Sequence, residues 1–131
     1  MSAYDVVISH YDANDRGDME GMLAVLAPDA RWTEMEGFPT AGTYVGPDEI
    51  FKGVFQRLGD EFGGTYRCEI DELIDGGDTV VGLGRYSGTY QATGKYFSAR
   101  VAHVWRVQGE KVVAFEQFTD TLLLARATES Y

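Results

Sequence analysis

The sequence predicts an α+β fold, with three N-terminal helices packed in one strongly curved, mostly antiparallel sheet. Three observations carry this. Apolar stripes at helical spacing occupy the first half of the chain as far as Gly63-Gly64. Four strand-like runs, residues 66–74, 79–92, 96–108 and 112–124, occupy the second half. The breaks between those runs, Asp75-Gly76-Gly77-Asp78, Thr93-Gly94 and Gln108-Gly109-Glu110, are turn chemistry too short for anything but antiparallel neighbours. A sheet wrapped around the helices buries every apolar stripe and leaves a cavity at its open end.

The first helix starts at Ser2, which can cap it, with Asp5 three residues on completing a capping box. Tyr4, Val7, Ile8 and Tyr11 share a face, and residues 14–17 end the helix. Asp18 can cap a second helix, whose apolar face is Met19, Met22, Leu23 and Leu26 and whose stop is Pro28. Residues 30–36 read as a short strand with Trp32, Glu34 and Glu36 on one side, followed by a loop to Gly42. Gly46-Pro47-Asp48-Glu49 opens the third helix. Proline has no N–H to lose there, and the two acids favour the positive end of the dipole. Its stripe is Ile50, Phe51, Val54, Phe55, Leu58 and Phe62. In the third long strand Phe97, Ala99, Val101, His103, Trp105 and Val107 point one way. Gly82, Gly84 and Gly88 suit a bent second strand.

Composition narrows the function classes. A chain of 131 residues with 44% hydrophobic content fits one domain, 1–131, with a real core. A net charge of −10 without a basic patch argues against nucleic acid and anionic membrane as partners. The apolar runs are too short to span a bilayer and the start of the chain lacks signal-peptide character, so a cytoplasmic location is expected. One cysteine, Cys68, forms no internal disulfide, and the two histidines lack metal-ligand spacing, so no metal and no cofactor are expected.

The segments GDMEGMLAVLAPDARWTEMEG, GTYVGPDEI and AHVWRVQGEKVVAFEQFTD together resemble the nuclear transport factor 2-like superfamily, in the branch of ketosteroid isomerase and the SnoaL-like polyketide cyclases. The resemblance spans nearly the whole chain. It implies a cone-shaped α+β barrel of cystatin-like topology, a homodimer, and one pocket inside the cone. In ketosteroid isomerase a first-strand carboxylate moves a proton while a tyrosine and a protonated aspartic acid hold the dienolate oxygen. Carried over, Glu34 takes the base position, His103 the oxyanion acid's, and His10 the tyrosine's, with Tyr11 one residue out. The cyclases' last-strand acid corresponds to Asp120.

The expected catalytic residues are therefore Glu34, His103 and Asp120, with Glu36 competing for the role of Glu34. Asp120 could equally end the strand by bonding backbone N–H groups. Tyr11, Trp32, Phe38, Phe55, Tyr86, Trp105 and Gln117 are expected to line the pocket. A two-residue turn in the last hairpin puts Glu116 opposite His103, and a three-residue turn puts Phe115 there. The expected function is cofactor-independent acid/base chemistry on a small apolar carbonyl compound, of isomerase, cyclase or dehydratase type. The alternative is a binding or dimerisation module of the same fold, marked by pocket acids that are all paired off.

Overall fold

A computed structural model describes residues 1–130; Tyr131, the last residue of the expected domain, lies outside the described residues. The element order is α1 (Ala3–Asp15), α2 (Met19–Ala24), β1 (Leu26–Glu34), β2 (Gly42–Val45) and α3 (Pro47–Ile50), which continues through a π-helical turn (Phe51–Phe55) into α4 (Gln56–Glu61). There follow β3 (Arg67–Gly76), β4 (Thr79–Tyr90), β5 (Lys95–Gln108), β6 (Lys111–Thr119) and α5 (Thr121–Thr128). The six strands form one curved sheet, unclosed, in the order β2-β1-β6-β5-β4-β3. Every pairing is antiparallel except β1 with β6.

Both expected helix caps form. Ser2 and Asp5 make the reciprocal capping box of α1, and the Asp18 carboxylate accepts the Gly21 N–H at the start of α2. The buried face of α1 is rotated from the expected one: Val6, Val7, His10, Tyr11 and Ala13 are buried, while Tyr4 and Ile8 lie at its edge. The π-helical turn resets the third helix so that Ile50, Val54, Leu58 and Phe62 face the core at intervals of four.

The chain departs from the expected elements in four places. Helix α2 ends before Leu26, and Pro28 sits exposed inside β1. There the pairing with β6 shifts register, so a missing N–H costs no ladder bond. Strand β1 ends at Glu34, which leaves Glu36 exposed in a turn. Residues 42–45 add an edge strand, β2. The last run is a strand only to Thr119. Asp120 then caps α5, which the helix-favouring Leu122-Leu123-Leu124-Ala125-Arg126-Ala127 propagates.

Sheet curvature comes from β3 and β4. Strand β3 carries a bulge between Ile70 and Glu72, directly across from Gly84. A Cβ at Gly84 would collide with the Glu69 carbonyl and stand 2.7 Å from the Ile70 Cα. Backbone cannot swing aside as a side chain can. Gly84→Ala is expected to cost about 2–3 kcal/mol, read as a lower urea midpoint with an unchanged slope.

Alternation on β5 falls as expected, with Phe97, Ala99, Val101, His103, Trp105 and Val107 all buried. The final hairpin follows neither expected register. Its turn has two residues, Gly109 and Glu110, both at positive φ (54° and 67°) as a type I′ turn requires. An irregularity between Arg106 and Val107 then slips the pairing by one, so Gln117, and neither Glu116 nor Phe115, stands opposite His103. That slip turns Gln117 inward and Glu116 out to solvent.

Candidate active site

The concave face of the sheet and the helices enclose a cavity of about 230 Å³. Helix α1 contributes His10 and Tyr11, β1 contributes Trp32 and Glu34, and the π-helical turn contributes Phe55. The strands from β3 onward bring Cys68, Tyr86, His103, Trp105 and Phe115, with Tyr66 just before β3. The exposed Gly17 and Gly59 mark the mouth, between the α1–α2 corner and α4. The volume lies below the roughly 300–1,000 Å³ of drug-sized ligand sites, so any occupant is small.

Glu34 is 3% exposed at the end of β1. One carboxylate oxygen accepts from Trp32 Nε1 at 3.2 Å and the other from Thr40 Oγ1 at 2.9 Å. Burial disfavours the anion more than these two bonds favour it, and the pKa rises from 4.5 to about 7. The group can therefore both take and return a proton near neutrality.

His103 is the hub of a second network. Its Nδ1 bonds the Tyr11 hydroxyl at 2.7 Å and its Nε2 the Tyr86 hydroxyl at 2.5 Å. Trp105 Nε1 donates to the Tyr11 oxygen at 2.7 Å, and Gln117 Nε2 donates to the Tyr86 oxygen at 3.1 Å. The amide of Gln117 is oriented by the Met35 N–H, which donates to its Oε1. Tyr11 reaches His103 because Gly82 has no side chain: a Cβ there would lie 2.5 Å from the Tyr11 hydroxyl. Burial drives the His103 pKa down to about 3 and both tyrosine pKa values well above 10, so the imidazole and the two phenols are neutral together. A neutral imidazole has one N–H. It donates to one tyrosine and accepts from the other. The tyrosine that accepts turns its O–H elsewhere, and at Tyr86 the Tyr66 hydroxyl is a hydrogen-bond partner.

The expected residues sort by this geometry. Glu34, His103, Tyr11, Trp32, Phe55, Tyr86 and Trp105 all border the cavity. Gln117 and Phe38 do not: the first bonds Tyr86 from behind, and the second packs on its ring at 5.7 Å. His103 does not present a nitrogen to a ligand, because both are held by tyrosines. Asp120 lies outside the cavity, where its carboxylate accepts the Leu123 N–H as the cap of α5. Asp120→Ala is expected to lower stability by about 1 kcal/mol in chemical denaturation and to leave any turnover unchanged. Tyr66 and Cys68 were missed although a signal exists: Tyr66, Cys68 and Ile70 alternate with Arg67, Glu69 and Asp71, which marks the inward face before the bulge that follows Ile70.

The fold class is an open, curved α+β sheet over helices, and its family can be stated more closely. Residues 7–115 match the SnoaL-like domain model, and the chain belongs to that family. An NTF2-like protein from Burkholderia thailandensis is 57% identical, with 98% of each chain covered and a TM-score of 0.96. An NTF2-like protein of unknown function from Burkholderia pseudomallei is 33% identical over 97% of this chain and 98% of that one, with a TM-score of 0.86. TerC, co-crystallised with polyporic acid, is 27% identical over 95% and 96% of the two chains, with a TM-score of 0.82. A search of curated proteins finds no match.

Proposed function

We propose that this chain is a cofactor-independent acid/base enzyme, of isomerase, cyclase or dehydratase type, acting on a small, largely apolar carbonyl compound. The observation behind this reading is one enclosed space bordered by a carboxylate titrating near 7 and a tyrosine hydroxyl backed by two nitrogens. In the reaction, Glu34 removes a proton from the carbon beside the carbonyl. The C–H electron pair moves into an enolate, whose oxygen accepts the Tyr86 O–H. Where the enolate is conjugated with a C=C bond, Glu34 returns the proton at the far carbon and the double bond shifts. Where a β-hydroxyl is present, the enolate pair forms the new C=C bond and expels that oxygen, which takes the Glu34 proton and leaves as water. His103, protonated on Nε2, accepts from Tyr11 and donates to Tyr86, so the Tyr86 O–H is not spent on the imidazole and turns from Tyr66 to the enolate oxygen when substrate enters; His103 is a positioning residue.

A specific observation favours a second reading. Both oxygens of Glu34 already accept hydrogen bonds, as a ligand-binding module without turnover would have them. Deuterium exchange separates the two: 1-tetralone in D₂O should lose its C2 protons faster with the protein than with Glu34→Gln. Binding of 1-tetralone without any excess exchange would move the function to the binding module. We further propose a homodimer, since Phe118 and Tyr96 are exposed on the outer sheet face, and a cytoplasmic location.

A further inference from the structure

His10 has no part in the scheme above, yet it is 4% exposed and borders the same cavity. Its Nδ1 lies 3.1 Å from the carbonyl oxygen of Met22. A carbonyl only accepts, so Nδ1 carries the proton and Nε2 carries a lone pair. The bond to Met22 is the one hydrogen bond of this ring among the described residues. The ring is locked by Trp105 at 4.7 Å, Tyr11 at 5.7 Å, Trp32 at 5.9 Å and Phe55 at 6.3 Å between centroids. Among the described residues no fully buried side-chain polar atom lacks a partner, so Nε2 keeps its contact with the cavity space.

The two histidines thus differ in kind. His103 has both nitrogens occupied, whereas His10 holds one fixed acceptor toward an otherwise aromatic wall. Burial pushes its pKa down to about 4, which keeps the lone pair free at neutral pH. A buried acceptor selects for a ligand that brings a donor and penalises one that leaves it unpaired.

We propose that His10 Nε2 is a specificity site that accepts the O–H of a hydroxylated substrate, so the preferred ligand is a phenolic or enolic carbonyl compound. Its carbonyl meets Tyr86 while its hydroxyl donates to His10. This rests on the carbonyl-binding role given above to Tyr86, and the test keeps the two separable.

The 5-, 6- and 7-hydroxy isomers of 1-tetralone, and 1-tetralone itself, are titrated into wild type, His10→Phe and Tyr86→Phe by calorimetry. At least one hydroxy isomer should bind wild type about tenfold more tightly than the parent ketone, an advantage that His10→Phe erases while Tyr86→Phe weakens both ligands. In wild type labelled with ¹⁵N-histidine, the unprotonated Nε2 resonance of His10 should move upfield with that isomer and stay in place with 1-tetralone. This keeps the inference testable even if His10→Phe does not fold. If all four ketones bind equally and the resonance ignores them, the His10 inference is overturned and the Tyr86 reading stands. If none binds wild type, both fall.

Discussion

Glu34→Gln should abolish proton transfer and, at alkaline pH, strengthen the fold. The expected loss in deuterium exchange is about 10²–10⁴-fold, the usual range for a deleted general base. The amide keeps the volume, and Thr40 can turn its hydroxyl to accept from the new N–H, so the site stays packed. The stability effect follows from the raised pKa. Between pH 4.5 and about 7 the folded chain holds a proton that the unfolded chain has released. Wild-type stability therefore falls across that window and then stays level above it. The accumulated penalty is on the order of 3 kcal/mol. Glu34→Gln should lack this slope, so the two urea midpoints diverge as pH rises. Exchange activity runs the other way, rising through pH 7 as the carboxylate ionises. Parallel midpoints across the window would mean that Glu34 titrates normally and is a poor candidate for the base.

Tyr86→Phe should be nearly as damaging, and by another route. It removes the donor proposed for the enolate oxygen, worth about 10²–10³-fold in turnover. It also strips a hydrogen-bond partner from His103 Nε2 and from Gln117 Nε2, both buried, which is expected to cost on the order of 1–3 kcal/mol of stability. Tyr11→Phe makes the informative comparison. It orphans Trp105 Nε1 and His103 Nδ1 and so destabilises similarly. Its turnover should fall far less, because Tyr11 spends its proton on the imidazole. Equal losses in the two variants would place the O–H not spent on the imidazole on Tyr11 and reverse the proposed tautomer.

The contrast between Gln117 and Asp120 shows how far the sequence reading reaches. Alternation on β5 put His103 and Trp105 on the core face because period-2 patterning needs no knowledge of neighbours. The caps at Ser2 and Asp18 were legible because capping is local chemistry. Gln117 was not, since its direction depends on a one-residue slip beyond the turn. For Asp120 the alternative of a carboxylate bonding backbone N–H groups is what the structure shows, but the helix it caps was read as strand because an apolar run following a strand looks like more strand. Only the cap geometry separates that strand from the helix after it. The role of His103 depended on partners distant in sequence, Tyr11 and Tyr86, which residue type alone does not supply.

The parallel pairing of β1 with β6 has a bearing on synthesis. Leu26 of β1 lies beside Val112 of β6, so Trp32 finds its neighbour Phe115 only when the last fifth of the chain is being made. At roughly 5–20 residues per second the ribosome holds the first strand unpaired on that side for several seconds. Through that interval the apolar faces of α1 and α2 have no finished sheet to cover them, and β1 offers an open edge to other nascent chains. Closing a loop of this length costs only a little more than closing a short one, but it makes the whole cavity a late event. Truncated products lacking β6 therefore lose the first strand's acid as surely as the last strand's amide, and chaperone demand falls on the N-terminal half.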